Sequence, residues 1–130
     1  MDVPAFLAVP TYLAAGALVA AAMRKLVRPQ QTYIALRLIG VPNGRGAVVS
    51  VASVEVATGV AVIVAASVPS LVVMGVLYLV FTGFLLRARS VGVACGCLTD
   101  ADRPPGWVHI GLDACAALIS FLAAASTAST

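Results

Sequence analysis

The sequence predicts an all-α membrane protein, a bundle of four transmembrane helices with a short interfacial helix between the first and the second. Of its 130 residues, 62% are hydrophobic and only 10% are charged. Soluble domains carry charge at about a quarter of their positions. The apolar residues gather in four long stretches, and the basic residues lie between those stretches. Lipid is the solvent that tolerates such a balance.

The four stretches are each long enough to cross a bilayer. They cover residues 3–23, 47–66, 68–86 and 107–125 of a single membrane domain, residues 1–130. About 20 helical residues span a hydrocarbon core of about 30 Å, and only a helix pairs every backbone group within such a segment. The first stretch is expected to be a retained helix, because its basic residues follow the apolar run instead of preceding it as in a signal peptide.

The links between the stretches differ in length and content. In the first link, residues 30–41 place apolar side chains at helical spacing before a proline, which predicts a short helix in the membrane interface. The link at 67–70 is so short that the second and third helices are expected to form a tight antiparallel pair. The third link, residues 87–106, contains two cysteines.

Orientation follows from the basic residues, all of which lie in the first and third links: Arg24, Lys25, Arg28, Arg37, Arg45, Arg87, Arg89 and Arg103. Basic residues favour cytoplasmic links. We therefore expect a multi-pass protein of the bacterial inner membrane with both termini outside. The net charge of +3 is then a topology signal and does not indicate a nucleic-acid partner.

Small residues favour close packing of membrane helices, since lipid gives a leucine no preference for another helix. Two sets of such residues are predicted to pack the bundle: Ser53, Ala57, Ala61 and Ala65 in the second helix, and Gly16 and Ala20 in the first.

The Cys95-Gly96-Cys97 sequence in the third link, after the third helix, is the sharpest chemical signal. Cysteines two apart can reach disulfide distance in a small, strained ring, and strained disulfides exchange readily. Two alternatives remain open: a thiol pair without a role, or a metal site, which would need two more ligands. Cys115 is expected to be a small packing residue. We predict no metal or other cofactor.

Three ionisable residues lie inside the predicted helices. Glu55 is near the middle of the second, where a carboxylate marks a functional site or is a protonated group bonded to a neighbouring helix. His109 and Asp113 are one turn apart on the fourth, as a proton-accepting pair or an anchor at the membrane boundary. Glu55 and Asp113 both lie about 9–12 Å from the cytoplasmic helix ends, so they are expected to share a polar pocket.

The chain resembles the methylamine-utilisation MauE family, within the wider DoxX-like group of four-helix bacterial membrane proteins. Glu55 and Gly59 resemble the Glu and Gly of the family's second helix, and residues 33–42 resemble its interfacial segment. The basic stretch 86–89 followed by Cys95-Gly96-Cys97 resembles the family's motif after its third helix. Leu98 and Thr99 depart from the Phe-Gly that usually follows.

The resemblance implies a redox-associated membrane protein linked to maturation of disulfide-containing proteins or to thioredoxin-like partners. We expect Cys95 and Cys97 to exchange thiol and disulfide, with Glu55, His109 and Asp113 handling protons, so a thiol-disulfide oxidoreductase activity is left open. The alternative is a non-catalytic accessory or assembly subunit of a larger membrane complex.

Overall fold

In a computed structural model the described residues are 3–38, 40, 44–92 and 106–129. Within these ranges the chain forms helices and no strand, so the predicted all-α class is confirmed. The helices are α1 (Ala5–Val27), α2 (Gln30–Leu38), α3 (Gly44–Ala65), α4 (Val68–Val91) and α5 (Trp107–Ala128). Within the same ranges, α1, α3, α4 and α5 are long and apolar enough to cross a membrane. This confirms the predicted four-helix fold, with α2 as the short helix between the first two spans.

The helix ends are set by proline and glycine, and not by charge. The residue before a proline avoids the helical region, and α1 ends at Val27, with the non-helical Arg28 standing just before Pro29. At the end of α4, Gly92 adopts a left-handed conformation with φ of 82°, and its N–H bonds the carbonyl of Ala88. At the start of α4, the Ser67 side chain accepts a hydrogen bond from the Ser70 N–H in a capping box.

All four long helices extend beyond the predicted apolar stretches at one end, and the extension is greatest for α1 and α4. The sequence-based bounds placed Arg24 and Lys25 in a link, but both lie in the last turn of α1. Arg87 and Arg89 likewise belong to the C-terminal part of α4. A hydropathy pattern ends where the first charge appears, whereas a helix continues until its backbone is interrupted.

The helices pack as two main antiparallel pairs, α1 with α3 and α4 with α5. The expected tight pair of α3 and α4 is wrong, since these two helices approach each other less extensively than either main pair. Gly59 permits the close α1–α3 approach, because a Cβ at residue 59 would lie only 2.5 Å from Val19 Cγ2 and 3.0 Å from the backbone carbonyl oxygen of Ala15. A short connection keeps two helix ends together but does not decide along which neighbour each helix packs.

The predicted packing stripe of α3 is also wrong. Its four small residues are all exposed on the bundle surface: Ser53, Ala57, Ala61 and Ala65. Gly16 and Ala20 of α1 are exposed as well. The buried face of α3 lies to one side of that stripe and contains Val48, Ala52, Glu55, Gly59 and Val62. Lipid and protein both accept small apolar side chains, so their spacing defines a face without showing what covers it.

The glycine contact between α1 and α3 predicts a stability difference between two otherwise similar substitutions. A Cβ at residue 59 would lie 2.5 Å from Val19 Cγ2, whereas a Cβ at Gly16 would have no neighbour within 4 Å. Overpacking destabilises by about 1–3 kcal/mol, and alanine in a helix gains up to about 1 kcal/mol over glycine. We expect Gly59→Ala to lower, and Gly16→Ala to maintain or raise, the free energy of unfolding in mixed micelles. Equal effects would contradict the packing described here.

Candidate functional site

A buried ion pair joins α1 to α3. The Nζ of Lys25 lies 2.6 Å from Oε1 of Glu55, and the two side chains are 5% and 0% exposed. Side chains on a helix lean toward its N-terminus. Because α1 and α3 are antiparallel, Lys25 leans away from the nearby end of α1 into the bundle, and Glu55 leans toward it. The geometry of the two helices thus brings the charges together.

Lys25 has a further contact, with an aromatic ring, whereas one oxygen of Glu55 has no hydrogen-bond partner among the described residues. Lys25 Nζ lies 4.4 Å from the centre of the Phe81 ring, a cation–π distance. The second carboxylate oxygen of Glu55, Oε2, is buried and has no hydrogen-bond partner among the described residues. Glu55 thus contacts a neighbouring helix, as expected, through Oε1 and Lys25 Nζ, and a buried carboxylate depends strongly on such a partner.

Lys25 also faces a small cavity of about 40 Å³ between α1, α4 and α5. The cavity combines apolar walls from α1 with ionisable or aromatic side chains from all three helices, and its lining consists of Ala17, Leu18, Ala21, Lys25, Tyr78, Phe81, His109 and Asp113. Asp113 lines this cavity and Glu55 does not, so the two carboxylates do not share it as expected; Lys25 bonds Glu55 and lines the cavity together with Asp113.

His109 and Asp113 face this cavity from α5. Their nearest polar atoms, Nε2 of His109 and Oδ1 of Asp113, are 3.9 Å apart, which is too long for a direct hydrogen bond. The side chains are only 14% and 16% exposed. The other ring nitrogen, His109 Nδ1, is buried without a hydrogen-bond partner among the described residues. A water molecule between the two side chains would satisfy groups that the protein leaves open.

Tyr78 forms the α4 wall of the cavity and is held in place at both ends. Its hydroxyl donates a hydrogen bond to the backbone carbonyl of Ala14 in α1. Its ring meets Phe81 edge to face, with 6.3 Å between the ring centres. These two contacts hold the Tyr78 side chain in place between α1 and α4.

Sequence reasoning missed Lys25, Tyr78 and Phe81 as site residues. For Lys25 a signal was present, because it continues the helical periodicity of the buried face of α1: Leu7, Thr11, Ala14, Ala15, Leu18, Ala21, Ala22 and Lys25. A lysine in register with an apolar face, near a glutamate on the next span, is a candidate for burial and pairing. Tyr78 and Phe81 carry no comparable signal, since aromatic side chains are ordinary in membrane helices.

Of the three cysteines, the structure describes Cys115. Cys95 and Cys97 lie outside the described residues. Cys115 is a free thiol and is exposed on α5, so it is not the packing residue that we expected. Within the described ranges, no cluster of three or more His, Cys, Asp or Glu side chains is placed to hold a metal ion.

The ends that flank the cysteine segment lie close together. The guanidinium carbon of Arg89, near the end of α4, lies 4.5 Å from the ring centre of Trp107, the first residue of α5. This cation–π contact joins the C-terminal end of α4 to the N-terminal end of α5. His109 is one half-turn further along α5, so the cavity and the ends of the cysteine segment are at the same end of the bundle.

The ion pair predicts a non-additive stability cycle. Lys25→Met or Glu55→Gln alone leaves an unpaired buried partner and should lower the free energy of unfolding by about 3 kcal/mol. The double variant Lys25→Met with Glu55→Gln removes both charges, and we expect it to recover much of that loss. Unfolding in mixed micelles measures each value. Arg28→Met, at an exposed position just after α1, is the control and should have little effect. Additive losses in the double variant would rule out the coupling.

Comparison with known proteins places the chain in a family. The profile of the family described as methylamine utilisation protein MauE matches residues 3–127, a range that includes α1 to α4 and nearly all of α5. No curated protein and no solved structure matches the chain. The resemblance to the MauE family is therefore confirmed, while the likeness to the wider DoxX-like group stays a prediction. The four membrane-spanning helices of the chain contact lipid. This multi-pass membrane protein belongs to the MauE family.

Proposed function

We propose that this protein is an accessory membrane protein of methylamine utilisation that exchanges thiol and disulfide with a partner protein through Cys95 and Cys97. The observation that carries the proposal is a Cys-Gly-Cys sequence directly after the third span of a MauE-family chain. The partner is a thioredoxin-like protein or a protein whose disulfides must mature.

The exchange balances as two successive substitutions at sulfur. The thiolate of one cysteine attacks the partner's disulfide, which forms a mixed disulfide and releases one partner thiolate. The second cysteine then attacks the mixed disulfide and releases the other partner thiolate. Two electrons pass to the partner, which becomes a dithiol, and Cys95 and Cys97 become a disulfide. The reverse sequence oxidises a partner dithiol.

Two features of the described residues support this role. Gly92 ends α4, and Cys95 follows three residues later in the sequence, so covalent geometry limits their separation to about 11 Å. The Arg89–Trp107 contact brings together the ends of α4 and α5, which the segment containing both cysteines connects.

The orientation remains part of the proposal. Arg24, Arg28, Arg87 and Arg89 cluster at the end where α1 and α4 finish, which favours that end as cytoplasmic in a bacterial inner membrane. The termini then lie outside.

Trapping tests the exchange directly. In a single Cys95→Ser or Cys97→Ser variant the remaining thiol can form a mixed disulfide, but the second substitution that would release it is lost. We expect at least one of these variants to accumulate a covalent complex, seen as a reducible band on non-reducing gels of cells quenched with an alkylating agent.

Cys115→Ser is the matched control, because Cys115 lies on the exposed face of a span, and we expect no change in trapping. If neither single variant captures a partner, while both are present at normal levels in the membrane, thiol exchange is excluded.

A second candidate function is that of a non-catalytic assembly subunit. The observation that favours it is the outward-facing stripe of small residues on α3, centred on Ala57 and Ala61, which would admit a helix of a larger complex. Under this alternative, a chain with Cys95→Ser and Cys97→Ser together would support methylamine growth normally, and Ala57→Leu would abolish it. Thiol exchange requires the opposite pattern.

A further inference from the structure

The ionisable groups that the described residues place around the cavity do not balance in charge. The walls and their direct partner contribute Lys25 from α1, Glu55 from α3, and His109 and Asp113 from α5, whereas α4 contributes the neutral Tyr78. Within this described set one ammonium faces two carboxylates, so with a neutral imidazole the set carries one excess negative charge. An uncompensated charge inside a membrane bundle is strongly unfavourable. One additional proton would make the set neutral.

Two of these groups are arranged to share that proton. His109 Nε2 and Asp113 Oδ1 lie 3.9 Å apart, and the proton can reside on the imidazole, giving imidazolium and carboxylate, or on the carboxyl, giving neutral imidazole and carboxylic acid. Both forms leave the whole set neutral. The Lys25–Glu55 pair is already closed at 2.6 Å, so these two charges compensate each other.

The cavity has the size and chemistry to hold water. Its volume of about 40 Å³ exceeds the roughly 10–15 Å³ that one water requires. Lys25, His109 and Asp113 supply polar partners on its wall. His109 Nδ1, buried and without a hydrogen-bond partner among the described residues, is a further group that water could satisfy.

We infer that the cavity between α1, α4 and α5 is a water-filled site that holds one exchangeable proton, shared between His109 and Asp113. This site goes beyond thiol exchange and does not depend on it. Lys25 is a positioning residue here: its ammonium compensates Glu55 and faces the cavity, so the set needs one proton and not two. Water in the cavity carries the proton between the two side chains and exchanges it with the solvent.

The wild-type protein offers a direct test, because His109 is its only histidine. The full chain is placed in lipid nanodiscs near neutral pH. Nitrogen NMR of ¹⁵N-histidine reports the imidazolium, and infrared difference spectra between wild type and Asp113→Asn report an Asp113 carboxylic acid. The two occupancies are expected to sum to one proton. A neutral His109 together with an ionised Asp113 would overturn the proposal.

Substitution of one partner moves the proton to the other. In His109→Gln we expect a carboxylic acid band that shifts in D₂O, and its loss when Asp113→Asn is added. Absence of the band in His109→Gln, or its persistence in the double variant, would refute sharing. The same bands should appear in a background with Cys95→Ser and Cys97→Ser, so failure of the proton site is distinguishable from failure of thiol exchange.

A cavity-filling variant tests the water. Ala17 lines the cavity, whereas Ala20 on the same helix is exposed and does not. In the His109→Gln background, Ala17→Val is expected to slow the D₂O shift of the Asp113 band severalfold relative to Ala20→Val, which carries the same change in helix propensity. Equal exchange rates in the two variants would exclude the cavity as the route.

Discussion

The ion pair between Lys25 and Glu55 is the interaction on which the arrangement of this bundle depends. Hydrophobic burial cannot choose between lipid and a neighbouring helix, so packing in a membrane relies on close contacts and on polar groups that require a partner. Here the partner requirement sets which face of α1 meets which face of α3. The Gly59 contact with Val19 and Ala15 then allows the two backbones to approach on that same face.

The pair also organises the polar interior beyond α1 and α3. Lys25 both bonds Glu55 and lines the cavity with His109 and Asp113. Four ionisable groups from three helices therefore belong to one electrostatic unit. Its position near the end of α5 where the cysteine segment joins the bundle is consistent with a role in the redox chemistry proposed for Cys95 and Cys97, although each can be tested alone.

Much of the fold could be predicted from the sequence, because membrane insertion depends on the length and hydropathy of each segment, which are local properties. The small helix α2 was predictable from its spacing and its flanking prolines for the same reason. The buried face of each helix could not be predicted, because in lipid a small or apolar residue is acceptable on either side. The stripe at Ala57 and Ala61, for example, faces outward. Lys25 was assigned to a link since charge ends a hydropathy window before it ends a helix.

The candidate site was predictable only in part, and again for a physical reason. Glu55, His109 and Asp113 stood out because ionisable side chains are costly in a span wherever they lie. Their common neighbour did not, because Lys25 is near a helix end, where lysine ordinarily extends to water. Whether the Lys25 ammonium reaches water or the bundle interior depends on where α3 places Glu55.

The hydrogen bond from Tyr78 to the carbonyl of Ala14 has a consequence for motion. Together with the salt bridge at Lys25, it fastens α1 to α4 and α3 at two depths, eleven residues or about 16 Å apart along the axis. A slide of α1 along its axis by a full helical turn, about 5.4 Å, would break both interactions, whereas a slide by one residue, about 1.5 Å, is small enough for them to persist. The two contacts therefore oppose a change of register of the first span relative to α3 and α4.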